Sequence, residues 1–316
     1  MVKQQTVQLF TEKILKTFNE VIKDYPTDAI LLSGGLDTSI LACMLSRYLK
    51  PYAVTVGLAG EKVPDLPYAR LIAKLFKFPI YVKLFSVREA VEAAKNVIKI
   101  IKSFDPVEVR NDISIYIAMK KVRELGFRSV VTGDGGDELF AGYSFLFKLK
   151  PYEVDDWIKN IVKNWFFSAK PIGESLGLKV LQPFLDERIV NLALEVPAEL
   201  KIAEKNGVTY GKWVLRESFK KMLPSEILWR TKNPIEVGSG SVRLSKIFKV
   251  SQEEFTSLSE IVNINSQEQA YYLKLYLKIF GGIPKPRKGE KPCPKCGAGI
   301  PINAKYCRVC GLYPAY

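Results

Sequence analysis

Val7, Phe10, Ile14, Phe18 and Val21 recur three or four residues apart, which places them on one helix face, and Pro26 ends the segment. The continuous apolar run Ala29-Ile30-Leu31-Leu32 then predicts a buried strand. The same exchange of patterns continues along the chain. It gives helices over 37–49, 66–76, 87–102 and 112–125 and strands over 52–56, 80–84 and 129–132. Strands alternating with helices predict an α/β fold, a parallel sheet with helices on both faces, whose ligands bind beyond the carboxyl ends of the strands. From Glu138 to about residue 280 strand patterns fade, and helices are expected over 155–167, 186–194, 211–222 and 267–280. This part reads as a helical extension of the sheet.

The first buried strand runs into Ser33-Gly34-Gly35-Leu36-Asp37-Thr38-Ser39, which opens the next helix. Two glycines let the backbone turn tightly and present N–H groups, three hydroxyls add donors, and a helix N-terminus favours anionic oxygens, so the loop suits phosphate. It has no lysine of the Walker kind. Asp37, set beside phosphates, calls for a Mg²⁺ between them. The plainer reading of the string is a strand-to-helix turn capped by Asp37. The fourth strand ends in Gly133-Asp134-Gly135-Gly136-Asp137-Glu138, a loop expected to face the same crevice, with Asp37 and Asp137 sharing the metal. A solvated acidic turn would have the same composition.

Composition narrows the chemistry. The chain of 316 residues contains no histidine and carries a formal charge of +14, so carboxylates, Lys, Tyr and Cys must do the work, and a polyanion is the natural partner. No run is long and apolar enough to span a membrane and no signal peptide is evident, which predicts a cytoplasmic protein. Four of five cysteines fall near the end as Cys293-Pro294-Lys295-Cys296 and Cys307-Arg308-Val309-Cys310, each pair followed by glycine. Two such pairs are the ligand set of tetrahedral Zn²⁺, and a module this small has too little core to fold without its metal. Cys43 lies among Leu41, Met44 and Leu45 and reads as a core thiol.

The string Ser-Gly-Gly-Leu-Asp-x-Ser after a strand resembles the signature of pyrophosphatase-loop enzymes, which cleave ATP between the α- and β-phosphates. The segments Phe104-Asp105-Pro106-Val107-Glu108-Val109-Arg110, Thr132-Gly133-Asp134-Gly135-Gly136-Asp137-Glu138-Leu139-Phe140, Gln182-Pro183-Phe184-Leu185-Asp186, Lys212-Trp213-Val214-Leu215-Arg216-Glu217 and Pro224 through Lys232 resemble, in order, the synthetase domain of the asparagine synthetase family. The resemblance implies an adenine nucleotide α-hydrolase-like fold and an AMP-forming, amide-forming ligase. It implies that Ser33, Gly34, Gly35, Thr38, Ser39, Val56 and Gly133 contact ATP and that Asp37 and Asp137 bind Mg²⁺. Asp134 would act as base on the amine, at a position where the family places a glutamate; Lys232 would neutralise charge at the α-phosphate, and Asp186 would order the site from the helical half. Position 2 is Val, not the nucleophilic Cys of a glutaminase domain, so ammonia or an amine is expected from elsewhere, such as a separate amidotransferase. The run Glu236-Val237-Gly238-Ser239-Gly240 is nearer to the β-lactam-forming relatives, which leaves the carboxylate substrate unassigned.

The expected organisation is a synthetase-like domain over 1–280, with its α/β core in 1–150 and helical part in 151–280, a Pro/Gly/basic linker over 281–292 and a zinc ribbon over 293–316. Residues 281–316 carry seven basic side chains and one acidic one, a charge reduced to about +4 by a zinc tetrathiolate. That tail supports a second reading, a tRNA-modifying enzyme of the same loop chemistry that grips RNA through the ribbon.

Overall fold

The structure, a computed structural model, describes residues 2–315. Five parallel strands form one sheet in the order β3-β2-β1-β4-β5: β1 Ala29–Leu31, β2 Tyr52–Leu58, β3 Ile80–Phe85, β4 Ser129–Val131 and β5 Lys179–Leu181. Five helices cover it: α1 Val2–Ile22, α2 Leu36–Leu45, α3 Leu66–Phe76, α4 Val87–Ile101 and α5 Pro106–Glu124. Register explains why the central strands are apolar throughout. Ile30 lies opposite Ala53 and Val131 and joins them in the core under α1, α2 and α3. Ala29 and its neighbour Val130 belong to the opposite core, with α4 and α5. Successive side chains point to opposite faces, so a strand covered on both sides must be apolar at every position.

The short antiparallel pair Ala203–Lys205 and Val208–Tyr210 lies in the part expected to be helical, and two further elements differ from the sequence reading. The strand Lys179–Leu181 lies in the part expected to be helical; it is three residues long with an exposed Lys179, too short to carry a period. The helix expected over 112–125 begins at Pro106 instead, because Asp105 accepts a hydrogen bond from the Val107 amide at 2.9 Å and Pro106 fits a first-turn position without a donor. Cys43 is buried as expected, and burial pushes its thiol up to about 11.

Within residues 281–292, Glu290–Pro292 pairs antiparallel with Gly299–Pro301 and forms the ribbon's hairpin. The ribbon is docked on the main body. The Phe104 amide donates to the Val309 carbonyl at 2.7 Å, Gln269 Nε2 donates to the Cys310 carbonyl at 3.0 Å, and Tyr306 donates to the Asp105 carboxylate at 2.6 Å. All four ribbon cysteines share one core with Phe104 and Tyr276, whose rings meet edge to face at 5.3 Å. Behind this junction Arg110 is buried between Glu268 at 2.5 Å and Glu236 at 3.7 Å, tying α5 to the Gln267–Phe280 helix.

Truncation after Gly282 should therefore destabilise the whole protein, since Phe104 and Tyr276 lose their cover at about 1.5–3 kcal/mol for each large side chain. Thermal denaturation of the truncated and intact chains tests this. An unchanged midpoint would mean that the ribbon contributes nothing to the core.

Candidate active site

A cleft of about 920 Å³ opens over the carboxyl ends of β1, β2 and β4. The loop after β1 forms one wall. Gly34 is held at φ +70°, and a Cβ there would lie 2.4 Å from the Tyr68 carbonyl carbon, so only glycine allows the loop to press against α3. Ser33 Oγ accepts from the Gly35 amide and lies 3.2 Å from Thr38 Oγ1. These groups surround the N-terminus of α2, whose first-turn acid is Asp37.

The loop after β4 supplies the second wall. At Gly136 a Cβ would meet the Asp37 carboxylate at 2.6 Å, so the two loops touch because no side chain separates them. Asp37 and Asp137 are brought together as expected, but they are largely buried, and the Lys212 ammonium lies between them. Its Nζ is 2.5 Å from Asp37 Oδ2 and 2.8 Å from Asp137 Oδ1. Burial raises the Asp37 pKa, with Lys212 opposing and Asp137 reinforcing the shift; Lys212 is raised because the two carboxylates outweigh its own desolvation. Asp37 Oδ1 is buried with no hydrogen-bond partner.

Lys232 lines the same cleft, 3.6 Å from Asp137 Oδ2 and 4.6 Å above the Tyr143 ring, which orients the ammonium. The segment carrying it is fixed by Arg216, which donates to the carbonyls of Leu228, Arg230 and Gly211. Arg230 in turn pairs with Asp65 and stacks on Tyr68 at 4.0 Å. Asp134 accepts from Thr132 at 2.6 Å and Gln182 at 2.8 Å; desolvation raises its pKa against both hydrogen bonds.

Ser33, Gly35, Thr38, Val56, Gly133, Asp134, Asp137 and Lys232 all line the cleft with Asp37. Gly34 and Ser39 do not: Gly34 shapes the turn, and Ser39 is fully buried in α2 with an unpartnered hydroxyl. Asp186 also lies outside the lining. Its carboxylate caps the helix Glu187–Glu195, pairs with Arg188 at 2.8 Å and accepts from Tyr25 at 3.3 Å. The preceding Leu185 packs behind the cleft, where a Cβ at Gly135 would meet its side chain at 2.6 Å. Sequence reasoning assigned no role to Lys212, Arg216, Asp65, Glu108 or Asp112, nor to Tyr306 and Arg308 of the ribbon, all of which line the cleft. Lys212 and Arg216 stood inside a segment already marked by resemblance; the ribbon residues carried no signal beyond charge.

The ribbon's four thiols converge with all ligand atoms within 4.8 Å of one another. The sulfurs of Cys293 and Cys310 are 3.7 Å apart and those of Cys296 and Cys307 3.8 Å. A tetrahedral ion with metal–sulfur bonds of about 2.3 Å needs about that edge.

Lys212→Met should cost about 3–5 kcal/mol, because it leaves Asp37 and Asp137 buried without a cation; urea denaturation measures it, and a stability equal to the parent's would make the cluster energetically idle. Glu108 provides a pH test. Burial and Asp105 push its carboxyl up to about 7 against a hydrogen bond from Ser103 and the charge of Arg308. A raised folded-state pKa favours the protonated form, so stability should fall as pH rises from 4.5 to about 7, by up to about 3 kcal/mol. Glu108→Gln should flatten that slope, and an unaltered slope would assign it to another group.

The profile of the asparagine synthase family matches residues 28–171 and 171–274. An asparagine synthetase (glutamine-hydrolyzing) of Sandersonia aurantiaca is 28% identical over 314 residues, covering 89% of this chain and 58% of that protein. The Gallus gallus enzyme of the same name is 34% identical over 228 residues, covering 68% of this chain and 40% of that protein. The chain thus spans about half the length of these curated relatives. An NMN synthetase from Francisella tularensis is 14% identical with a TM-score of 0.40, over 87% of this chain and 94% of that one, a likeness too slight to bear on function. With the family profile matched along most of its length, the chain belongs to the asparagine synthase family.

Proposed function

We propose that the protein is an ATP-dependent ligase that adenylates a carboxylate and passes the acyl group to ammonia or an amine, releasing AMP and pyrophosphate. The observation that carries this reading is the meeting of Asp37, Asp137, Lys212 and Lys232 at the N-terminus of α2. The loop amides and the hydroxyls of Ser33 and Thr38 would hold phosphate oxygens, and Val56 and Gly133 would border the nucleotide. The substrate carboxylate oxygen would attack the α-phosphorus, and pyrophosphate would leave with the electrons of the broken P–O bond. Lys232 would offset the charge that builds on the α-phosphate in that step. Asp134, with its raised pKa, would accept a proton from the amine.

Asp37 and Asp137 fit a Mg²⁺ ion: both are hard oxygen donors, and Asp37 Oδ1 has no other partner. When bound, Mg²⁺ supplies charge neutralisation for the phosphates. Zn²⁺ is our assignment for the cysteine site, on the sulfur spacings, with a structural role; such a tetrathiolate suits a reducing, cytoplasmic compartment. The docked ribbon, with Tyr306 and Arg308 lining the cleft, favours ligation over the reading in which a free basic tail grips tRNA.

Turnover with Mg²⁺ and ATP should yield AMP and pyrophosphate, followed by exchange of labelled pyrophosphate into ATP across a panel of carboxylic acids. ADP and phosphate as products would remove the reading. Lys232→Ala should lower kcat by at least about 100-fold with a smaller effect on ATP affinity, as for a charge used in the transition state; steady-state kinetics with an unchanged kcat would return Lys232 to an ordinary exposed lysine.

A further inference from the structure

The end of the cleft beneath the ribbon has a chemistry of its own. Asp105, Glu108 and Asp112, from the first two turns of α5 and its cap, line it beside Asp134. Asp105 is satisfied by Tyr306 and by the Val107 amide. Glu108 faces Arg308 at 4.0 Å through Oε1, while its Oε2 is buried without a hydrogen-bond partner. Asp112 is only 2% exposed; Oδ1 accepts from Ser168 at 2.6 Å, and Oδ2 has no partner. Two unpartnered carboxylate oxygens at one end of an open cleft are costly unless a donor reaches them.

A cationic donor would both satisfy these oxygens and hold the acids ionised against their burial, a task for which this end offers the single guanidinium of Arg308. Among the described residues the acids do not gather into a group able to hold a metal ion, as the four cysteines do. Aromatic residues border the same end: Trp165, Phe166 and Phe167 line the cleft, and Phe166 already carries the Arg308 guanidinium 3.4 Å above its ring. Carboxylates beside aromatic rings suit an alkylammonium, whose head pairs with the acids while its carbon chain packs on the rings.

We propose that this end of the cleft is a subsite for an organic primary ammonium, R–NH3+, which is the amine that the protein joins to its activated carboxylate. Its role in ligation rests on the ligase reading above; its affinity for the cation does not. In the joining step one proton leaves the ammonium before attack, the nitrogen bonds to the acyl carbon, and the acyl carbon–oxygen bond to AMP breaks. AMP departs with that electron pair, and a second proton leaves the nitrogen. Asp134, which lines the same cleft, would take the protons from the nitrogen.

The test is calorimetric titration of the full, metal-loaded chain at constant ionic strength with n-butylammonium chloride, with n-butanol as neutral isostere and with ammonium chloride. Butylammonium should bind at least about tenfold more tightly than either comparison ligand, and Asp112→Asn or Glu108→Gln should each weaken it at least about fivefold. Two variants are used because either alone could fail to fold, which cooperative thermal denaturation checks. Equal affinity for butylammonium and butanol overturns the proposal, as does unchanged binding in both folded variants, the result expected if the two acids simply carry protons. Equal affinity for ammonium overturns the organic part of it. The titration needs no ATP, so butylammonium binding in a protein that releases no pyrophosphate would uphold the subsite and remove only the ligase reading.

Discussion

Burying two carboxylates side by side is possible only with a cation between them, and the contact of Asp37 and Asp137 with Lys212 is the constraint on which the site depends. The three residues come from the N-terminus of α2, the loop after β4 and the start of the helix Trp213–Phe219, so their pairing sets the distance between the sheet and the helical part. Gly136 and Gly142 leave the space in which the charges meet; at Gly142 a Cβ would lie 1.9 Å from Asp137 Oδ1. Neither attraction nor space would suffice alone. An unpaired charge would cost several kcal/mol, and a single added methyl would push the loops apart.

Around this centre the cleft is divided by charge. At the end nearest α2, Lys212 and Lys232 offset the charges of Asp37 and Asp137, and the amides at the α2 N-terminus add the positive end of its dipole. At the ribbon end the acids of α5 face aromatic rings, with desolvation raising the pKa values of Glu108 and Asp112. Under the proposed ligation the nucleotide and the amine would occupy these two ends of one cavity. The chain contains no histidine, so in the proposed ligation a buried carboxylate with a raised pKa, Asp134, would accept the proton in its place.

The ribbon connects stability with the site. Its thiols share a core with Phe104 and Tyr276, and one residue beyond Phe104 the chain reaches Asp105, which caps α5 and holds Tyr306. Packing of the four cysteines and placement of the acidic wall are consequently linked. On the proposed zinc assignment a module of this size would owe its fold to the ion, which would then also govern the order of residues that are distant from it in sequence.

The amino-acid sequence alone determined the features that are local. Apolar runs and three-to-four spacing located four of the five sheet strands and the helices between them, because burial on two faces or one face leaves a periodic record. The glycine loops, Asp37, Asp137 and the two cysteine pairs stood out by short spacing and Lys232 by resemblance, and the fold brings the loops, both acids and the lysine to one cleft and the four thiols to one point. The strand Lys179–Leu181 left no such record, being only three residues long. Lys212 could not be told from the other basic residues until the fold placed its ammonium between two acids, and Asp186, marked by its motif, has its carboxylate turned to Arg188 instead of to the cleft. Glu108, Asp112, Tyr306 and Arg308 belong to segments nearly 200 residues apart, and only tertiary packing makes them one surface. Sequence records what a residue needs from its neighbours in the chain; the electrostatics of a buried site depend on neighbours in space, which the folded structure alone decides.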